Sequence, residues 1–315
     1  MSGSNRRSGL SRGKGSGRSS GGKGTGRSGR GSSGSGSRGG GSGGGRRGGA
    51  GGRGERQRGG SSHREAGLGG RQVEGRHAVR ELLIARRRNV ERVWIAAELE
   101  GDQGVADIEE IAAAQRVPVE YVGGARLDRE ARSEAPQGVL AMAAPVPDVD
   151  LESLLTQSDP PPLLVALDHI TDPGNFGAIV RVADGAGVTG LVVPRHRAVH
   201  ITPTAAKASA GAIEYVPMAL VGGLPTALRQ LSERGVWLIG LDDRGARSVF
   251  DVGEFAGEPV CVVLGAEGAG LTRLVRERCD VLASIPMAGQ VSSLNVSAAA
   301  AISLYELSRS RQQLP

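Results

Sequence analysis

Val260-Cys261-Val262-Val263-Leu264-Gly265-Ala266-Glu267-Gly268-Ala269-Gly270-Leu271 is the stretch on which the reading of the fold turns. Five consecutive apolar residues, three of them β-branched, predict a strand covered on both faces, as in parallel sheets. A glycine-rich turn follows and leads into a predicted helix, Leu271 to Arg278, so the unit reads as strand, turn, helix. The glycines at 265, 268 and 270 are spaced GxxGxG, the reverse of the dinucleotide-binding order. An acid, Glu267, also stands inside the loop where a pyrophosphate would lie. The loop therefore suits a ligand that is not anionic at this point, although Glu267 has a second reading as favourable charge placement at a helix start.

The same alternation extends in both directions. Strands are predicted at Leu163–Leu167, Gly190–Val193, Ile213–Val216, Val236–Leu241 and Val281–Ser284. Helices are predicted between and after them at Asn175–Gly187, Pro203–Gly211, Leu224–Arg234 and Leu294–Arg311. This is the spacing of βαβ units around a parallel sheet. Before it, residues 73–145 predict a smaller α/β unit with a helix from Glu74 to Arg88 and strands at Arg92–Ala96, Pro118–Val122 and Gly138–Ala143. Residues 146–162, rich in proline, read as the linker between the two. Residues 1–72 hold 29 of the 52 glycines and set 16 basic against two acidic residues, a net of +14, whereas residues 73–315 hold 23 basic and 31 acidic, a net of −8. Such a segment buries too little surface to offset its ordering entropy, and is expected to be a disordered basic tail. Arg-Gly-Ser composition suits phosphate backbones, which points to RNA, or else a solubilising extension. The tail lacks the apolar core of about 7 to 15 residues that a signal peptide needs. No apolar run is long enough for a membrane span. Cys261 and Cys279 show no metal-binding spacing and read as reduced core residues of a cytoplasmic protein.

Polar, Gly and Pro residues crowd the ends of three predicted strands, where open α/β sheets bind ligands. The first segment, Leu167 to Ala183, contains Asp172-Pro173-Gly174-Asn175-Phe176-Gly177 and Arg181. It reads locally as a turn with Asn175 as helix cap, and Arg181 as either a snorkelling surface residue or a buried cation with an anionic partner. The second is the loop already quoted. The third, Ile285-Pro286-Met287 through Ser292-Ser293-Leu294-Asn295-Val296-Ser297, is either a capping cluster on an alanine-rich helix or a binding segment.

Taken together, these segments resemble the three motifs of the SpoU/TrmH family of RNA ribose 2′-O-methyltransferases. The first motif is met by Asp172, Pro173, Asn175, Gly177 and Arg181, the second by Leu264, Gly265, Glu267, Gly270 and Leu271, and the third by Ile285, Pro286, Met287, Ser293, Leu294, Asn295, Val296 and Ser297. Val73-Glu74-Gly75-Arg76-His77-Ala78-Val79 is similar to the start of the L30-like substrate-binding domain of the RlmB-like branch. The resemblance implies a SPOUT-type trefoil-knot domain over residues 163–315 that binds S-adenosyl-L-methionine through Leu241, Leu264, Gly265, Ile285, Met287 and Leu294. It implies Arg181 beside the reacting 2′-oxygen, Asn175 and Glu267 orienting it, and Ser293 and Asn295 placing the ribose or phosphate. It implies no metal, a homodimer that completes the site, and 23S rRNA as the RNA. tRNA, or a non-catalytic RNA-binding protein retaining the fold, are the competing readings. An NAD-type oxidoreductase is disfavoured by the reversed glycine spacing. His77 could touch RNA or serve packing, and Lys207, Arg195 and Arg197 face either RNA phosphates or solvent.

Overall fold

The computed structural model describes residues 67–156, 159–196 and 200–313, so residues 1–66 of the expected basic tail and Arg197 lie outside the described residues. The last six residues expected in that tail are structured instead: Leu68 is buried, Gly70 N–H donates to Ile201 O at 2.8 Å, and Gln72 begins a strand. Two sheets organise the chain. The smaller is formed by β1 (Gln72–Glu74), β2 (Val90–Ala96), β3 (Val119–Val122) and β4 (Val139–Ala143), in the order β1-β4-β2-β3. β4 runs antiparallel to both neighbours and β3 parallel to β2. Helices α1 (Arg76–Ala85) and α2 (Gln103–Ala114) pack together, and the short α3 (Gly124–Glu130) covers Trp94 with Leu127. The helix expected from Glu74 starts two residues later. Gly75 takes φ 96°, which frees Gln72–Glu74 to pair with β4, and Arg86 at φ 51° ends the helix.

The larger sheet has seven strands, all parallel, in the order β7-β6-β5-β10-β8-β11-β9. They are β5 (Leu163–Leu167), β6 (Gly190–Pro194), β7 (Met218–Val221), β8 (Trp237–Leu241), β9 (Arg247–Ser248), β10 (Val260–Leu264) and β11 (Val281–Ser284). Every residue of β5 and β10 is buried, as expected for strands covered on both faces. The helices are α4 (Pro173–Gly185), α5 (Pro203–Ala208), α6 (Leu224–Glu233), α7 (Arg273–Arg276) and α8 (Val296–Arg311).

One predicted strand is corrected. Ile213–Val216 forms no strand: Ala212–Glu214 is a turn of 3-10 helix, and the strand is Met218–Val221. Ala210 and Gly211 both have positive φ, reversing the chain after α5. Ile213 and Val216, three residues apart, then face the core together, a spacing that suits 3-10 geometry as well as it mimics a short apolar strand.

β11 lies between β8 and β9, two strands consecutive in the chain, so the connection Asp242–Ala246 crosses over β11. The crossing is tight. A Cβ on Gly245 would stand 2.5 Å from Ala283 C and 2.7 Å from Ser284 N, both backbone atoms, which leaves room for glycine only.

One apolar cluster joins the two units: Val73, Val79 and Val139 of the smaller pack with Ile179, Ile201 and Ile213 of the larger. Polar ties reinforce it. Arg88 and Glu214, with side chains 2% and 4% exposed, form a two-pronged ion pair whose Nε–Oε2 arm is 2.9 Å. Arg88 also donates to the carbonyls of Gly70 and Ala144. Lys207 Nζ donates to the carbonyls of Glu134 and Ala135 at 2.7 Å, so this lysine ties the larger unit to the loop before β4 of the smaller.

Candidate active site

A cleft of about 770 Å³ opens at the C-terminal ends of β8, β10 and β11, the side on which open α/β sheets take ligands. Leu241, Leu264, Gly265, Ile285, Met287 and Leu294 all line it, as do Glu267, Ser293 and Asn295. Asn175 and Arg181, on α4, are outside its lining.

Asn175 nevertheless reaches the cleft rim. Its amide donates to Glu267 Oε2 at 3.1 Å and accepts from Asn295 Nδ2 at 2.8 Å. Asn295 Oδ1 in turn accepts from the N–H (2.8 Å) and hydroxyl (2.6 Å) of Ser297, capping α8. One chain of side-chain hydrogen bonds thus ties together three segments separated by 92 and 120 residues. The local reading of Asn175 as helix cap is corrected: Asp172 is the cap, accepting from Asn175 N–H at 2.7 Å, with Pro173 at the first helical position. Because the carboxylate of Asp172 does the capping, the Asn175 amide is available for the rim.

Arg181 stands on the exposed face of α4, about 9 Å along the helix axis from Asn175 by helical rise. It makes no ion pair among the described residues, and no hydrogen bond joins it to Asn175 or Glu267. Of its two readings, buried cation and surface residue, the structure has the second.

Gly265 earns its place through loop closure. A Cβ there would fall 2.3 Å from Gly270 C and 2.5 Å from Leu271 N, where Ala266 and Gly270 exchange backbone hydrogen bonds of 3.1 and 2.8 Å. The loop folds back on itself and holds Glu267 at the rim. On its outer side, buried Asp168 accepts from Thr272 N–H at 2.6 Å and holds His169 Nδ1 at 2.7 Å.

Sequence reading passed over two further residues of the lining, Asp242 and Arg276, whose charged groups are 2.6 Å apart. The signal for the first was present: Asp242-Asp243-Arg244 follows an apolar strand directly. Arg276 lies on a four-residue helix and carried none. His77 is exposed beside a shallow depression with Arg76 and Gln137 in the smaller unit. Among the described residues no group of His, Cys, Asp and Glu could hold a metal ion, and no helix is long and apolar enough to cross a membrane.

Residues 162–305 match the SpoU rRNA Methylase family, and residues 72–149 match the RNA 2′-O ribose methyltransferase substrate binding family. The 23S rRNA (guanosine-2′-O-)-methyltransferase RlmB of Pseudomonas aeruginosa is 40% identical over 77% of this chain and 98% of its own length. The chain belongs to the SpoU methylase family. The enzyme of the same description from Ralstonia nicotianae is 41% identical over 76% of this chain and 96% of its own. The crystal structure of the SpoU methyltransferase AviRb from Streptomyces viridochromogenes, in complex with the cofactor AdoMet, superposes with a TM-score of 0.66 at 30% identity. It covers 78% of this chain and 91% of that one.

Proposed function

We propose that this protein transfers the methyl group of S-adenosyl-L-methionine to the 2′-hydroxyl of a guanosine ribose in 23S rRNA, acting in the cytoplasm as a homodimer whose larger domain is closed by a trefoil knot. The observation that carries the reading is the rim relay Glu267–Asn175–Asn295–Ser297, drawn tight over a cleft lined by all six residues expected to hold the cofactor. The cleft fits that cofactor. Its volume lies in the range of small-molecule sites, its walls at Leu264, Ile285, Met287 and Leu294 suit a flat neutral adenine, and it offers no phosphate cradle. The bound cofactor supplies an electrophilic methyl group.

The chain's own residues place and polarise the acceptor. Transfer to a ribose oxygen requires that oxygen in line with the methyl carbon and relieved of its proton. Arg181 has no counter-charge among the described residues, so its guanidinium is free to stabilise the oxyanion that develops at O2′. A guanidinium carries five N–H donors and no acceptor, which suits it to be a stabiliser rather than a base, with an RNA phosphate or water taking the proton. Ser293, exposed at the rim, and the relay amides position the ribose.

The dimer reading rests on α4 and α8. Ala178 and Val182 of α4 and Ala301 and Ile302 of α8 are only partly buried, and Tyr305 lies exposed over Gly185. This small-residue surface borders Arg181, so a second copy seated there would bring new groups to the rim. The smaller domain, matched by the substrate-binding family, is assigned the RNA. Arg181→Ala is expected to abolish transfer to a 23S rRNA fragment while calorimetry still registers cofactor binding. Full activity in the purified variant would overturn the role. Mapping ribose methylation across rRNA and tRNA in a deletion strain identifies the substrate; loss of no mark would overturn the enzymatic reading, and loss of a tRNA mark would move it to tRNA.

A further inference from the structure

Asp242 is the first residue beyond β8, and it lines the cleft although only 1% of its side chain is exposed. Its Oδ1 accepts from Arg244 N–H at 3.0 Å. Its Oδ2 stands 2.6 Å from the guanidinium of Arg276, yet no donor meets it in hydrogen-bonding geometry. A buried carboxylate oxygen without a well-aligned donor is costly and calls for an explanation. The carboxylate cannot drift to a better position. Asp242 N–H donates to Ala283 O at 2.9 Å, and three residues on Gly245 lies against the backbone of Leu282–Ser284. The acid is therefore a fixed acceptor with spare lone pairs, built into the wall of a ligand cleft.

Charge decides what it accepts. The Asp242–Arg276 pair is neutral overall, so it attracts neither a cation nor an anion, each of which would have to displace one partner of the ion pair. A neutral vicinal diol displaces nothing. Its hydroxyls donate to the lone pairs left over on the carboxylate and accept from the free N–H groups of the guanidinium. Position agrees with charge. β8 and β10 pair in parallel up to Gly240 opposite Val263, so Asp242 and Gly265 follow the ends of neighbouring strands, and both line the cleft. The adenine walls begin at Leu264 and Gly265, and in adenosine the diol is carried by the sugar joined directly to the base.

We infer that Asp242, backed by Arg276, receives the ribose 2′- and 3′-hydroxyls of the methyl donor's adenosine. The assignment rests on the reading of the cleft as the S-adenosyl-L-methionine site, and gives that site a selectivity for ribose. Calorimetry on the full chain with S-adenosylhomocysteine and its 2′-deoxy and 3′-deoxy analogues tests it. In the unaltered chain, removal of a hydroxyl bonded to a charged group is expected to weaken binding roughly tenfold to a hundredfold. Asp242→Asn should weaken S-adenosylhomocysteine to a similar degree and bind the deoxy analogues no worse than the parent. Deoxy analogues that match the parent on the unaltered chain would overturn the assignment, and that arm needs no variant to fold. So would an Asp242→Asn variant that still discriminates against them fully. Failure of the unaltered chain to bind S-adenosylhomocysteine at all would instead bring down the reading of the cleft, and this assignment with it.

Discussion

Replacing Arg88 by methionine removes the cation of the buried pair that joins the two sheets. Glu214, 4% exposed, is then left as an uncompensated buried carboxylate, and the carbonyls of Gly70 and Ala144 lose their donor. Breaking one side of a buried pair costs about 3 to 5 kcal/mol, and the two stranded carbonyls push the loss toward the upper figure. At about 2 to 4 °C per kcal/mol for a domain of this size, the melting temperature should fall by about 6 to 20 °C. Urea denaturation gives the free energy, and amide exchange locates the damage. Gly70 N–H and Ile201 N–H, each bonded at 2.8 Å across the junction, should lose protection before the β5–β10 ladder does. The double variant Arg88→Met/Glu214→Leu removes both charges and is expected to recover most of the loss, because a neutral pair of similar volume carries no desolvation penalty. A single variant within 1 kcal/mol of the parent, or a double variant as unstable as the single, would refute the view that the ion pair locks the junction.

Three further outcomes follow from geometry. Gly265→Ala forces a Cβ onto the Gly270–Leu271 backbone, so the loop must open and S-adenosylhomocysteine affinity should drop at least about tenfold; unchanged affinity by calorimetry would contradict the loop-closure role. Tyr121 and Tyr215 are both pushed up to about 12, the first chiefly by its hydrogen bond to Glu109, the second by burial and then by Glu81. Because the folded protein favours the neutral phenol, the stabilisation is complete below about pH 10, the unfolded value, and is lost as the pH rises toward 12. Absorbance at about 295 nm should show both phenols ionising near 12, and ionisation near 10 in the folded protein would refute it. Burial raises the thiols of Cys261 and Cys279, the latter to about 12. Iodoacetamide at about pH 8 should therefore label Cys279 about a thousandfold more slowly than free cysteine, and Cys261 more slowly still. Rapid labelling of either in native protein, read by mass spectrometry, would contradict the packing.

What could be read in advance divides by the range of the interactions involved. β5, β8, β10 and β11 were legible because a strand buried on both faces is an apolar run, a property of neighbours in the chain. β1 was not, since three residues make a strand only through pairing with β4 some 70 residues away. Charges were the least legible of all. Lys207 reads equally as an RNA contact or as solvated, yet its ammonium is spent on two carbonyls of the smaller domain. Arg88, one of three arginines at a helix end, is the most buried cation of the junction. Nothing in the run Arg86-Arg87-Arg88 distinguishes the third, because its partner Glu214 lies 126 residues on.

The first motif shows why the site was legible as a set of residues while its workings were not. Asp172 and Asn175 are both good helix caps, and either assignment satisfies the local sequence. The structure gives the capping to Asp172, and only then does the Asn175 amide become available to bridge Glu267 and Asn295. The bridge has a direction: Asn175 must present its NH₂ to the carboxylate and its oxygen to Asn295, which fixes the amide's orientation and holds both partners at the rim. Arg181 shows the opposite side of the same logic. A guanidinium already satisfied by an internal carboxylate would have little to offer a developing oxyanion, and this one stands exposed and unpaired among the described residues. No carboxylate among the described residues pairs with it, which leaves it available to the substrate or a second copy. For that reason Arg181 can be recognised from its motif, and its chemistry cannot be read from its neighbours.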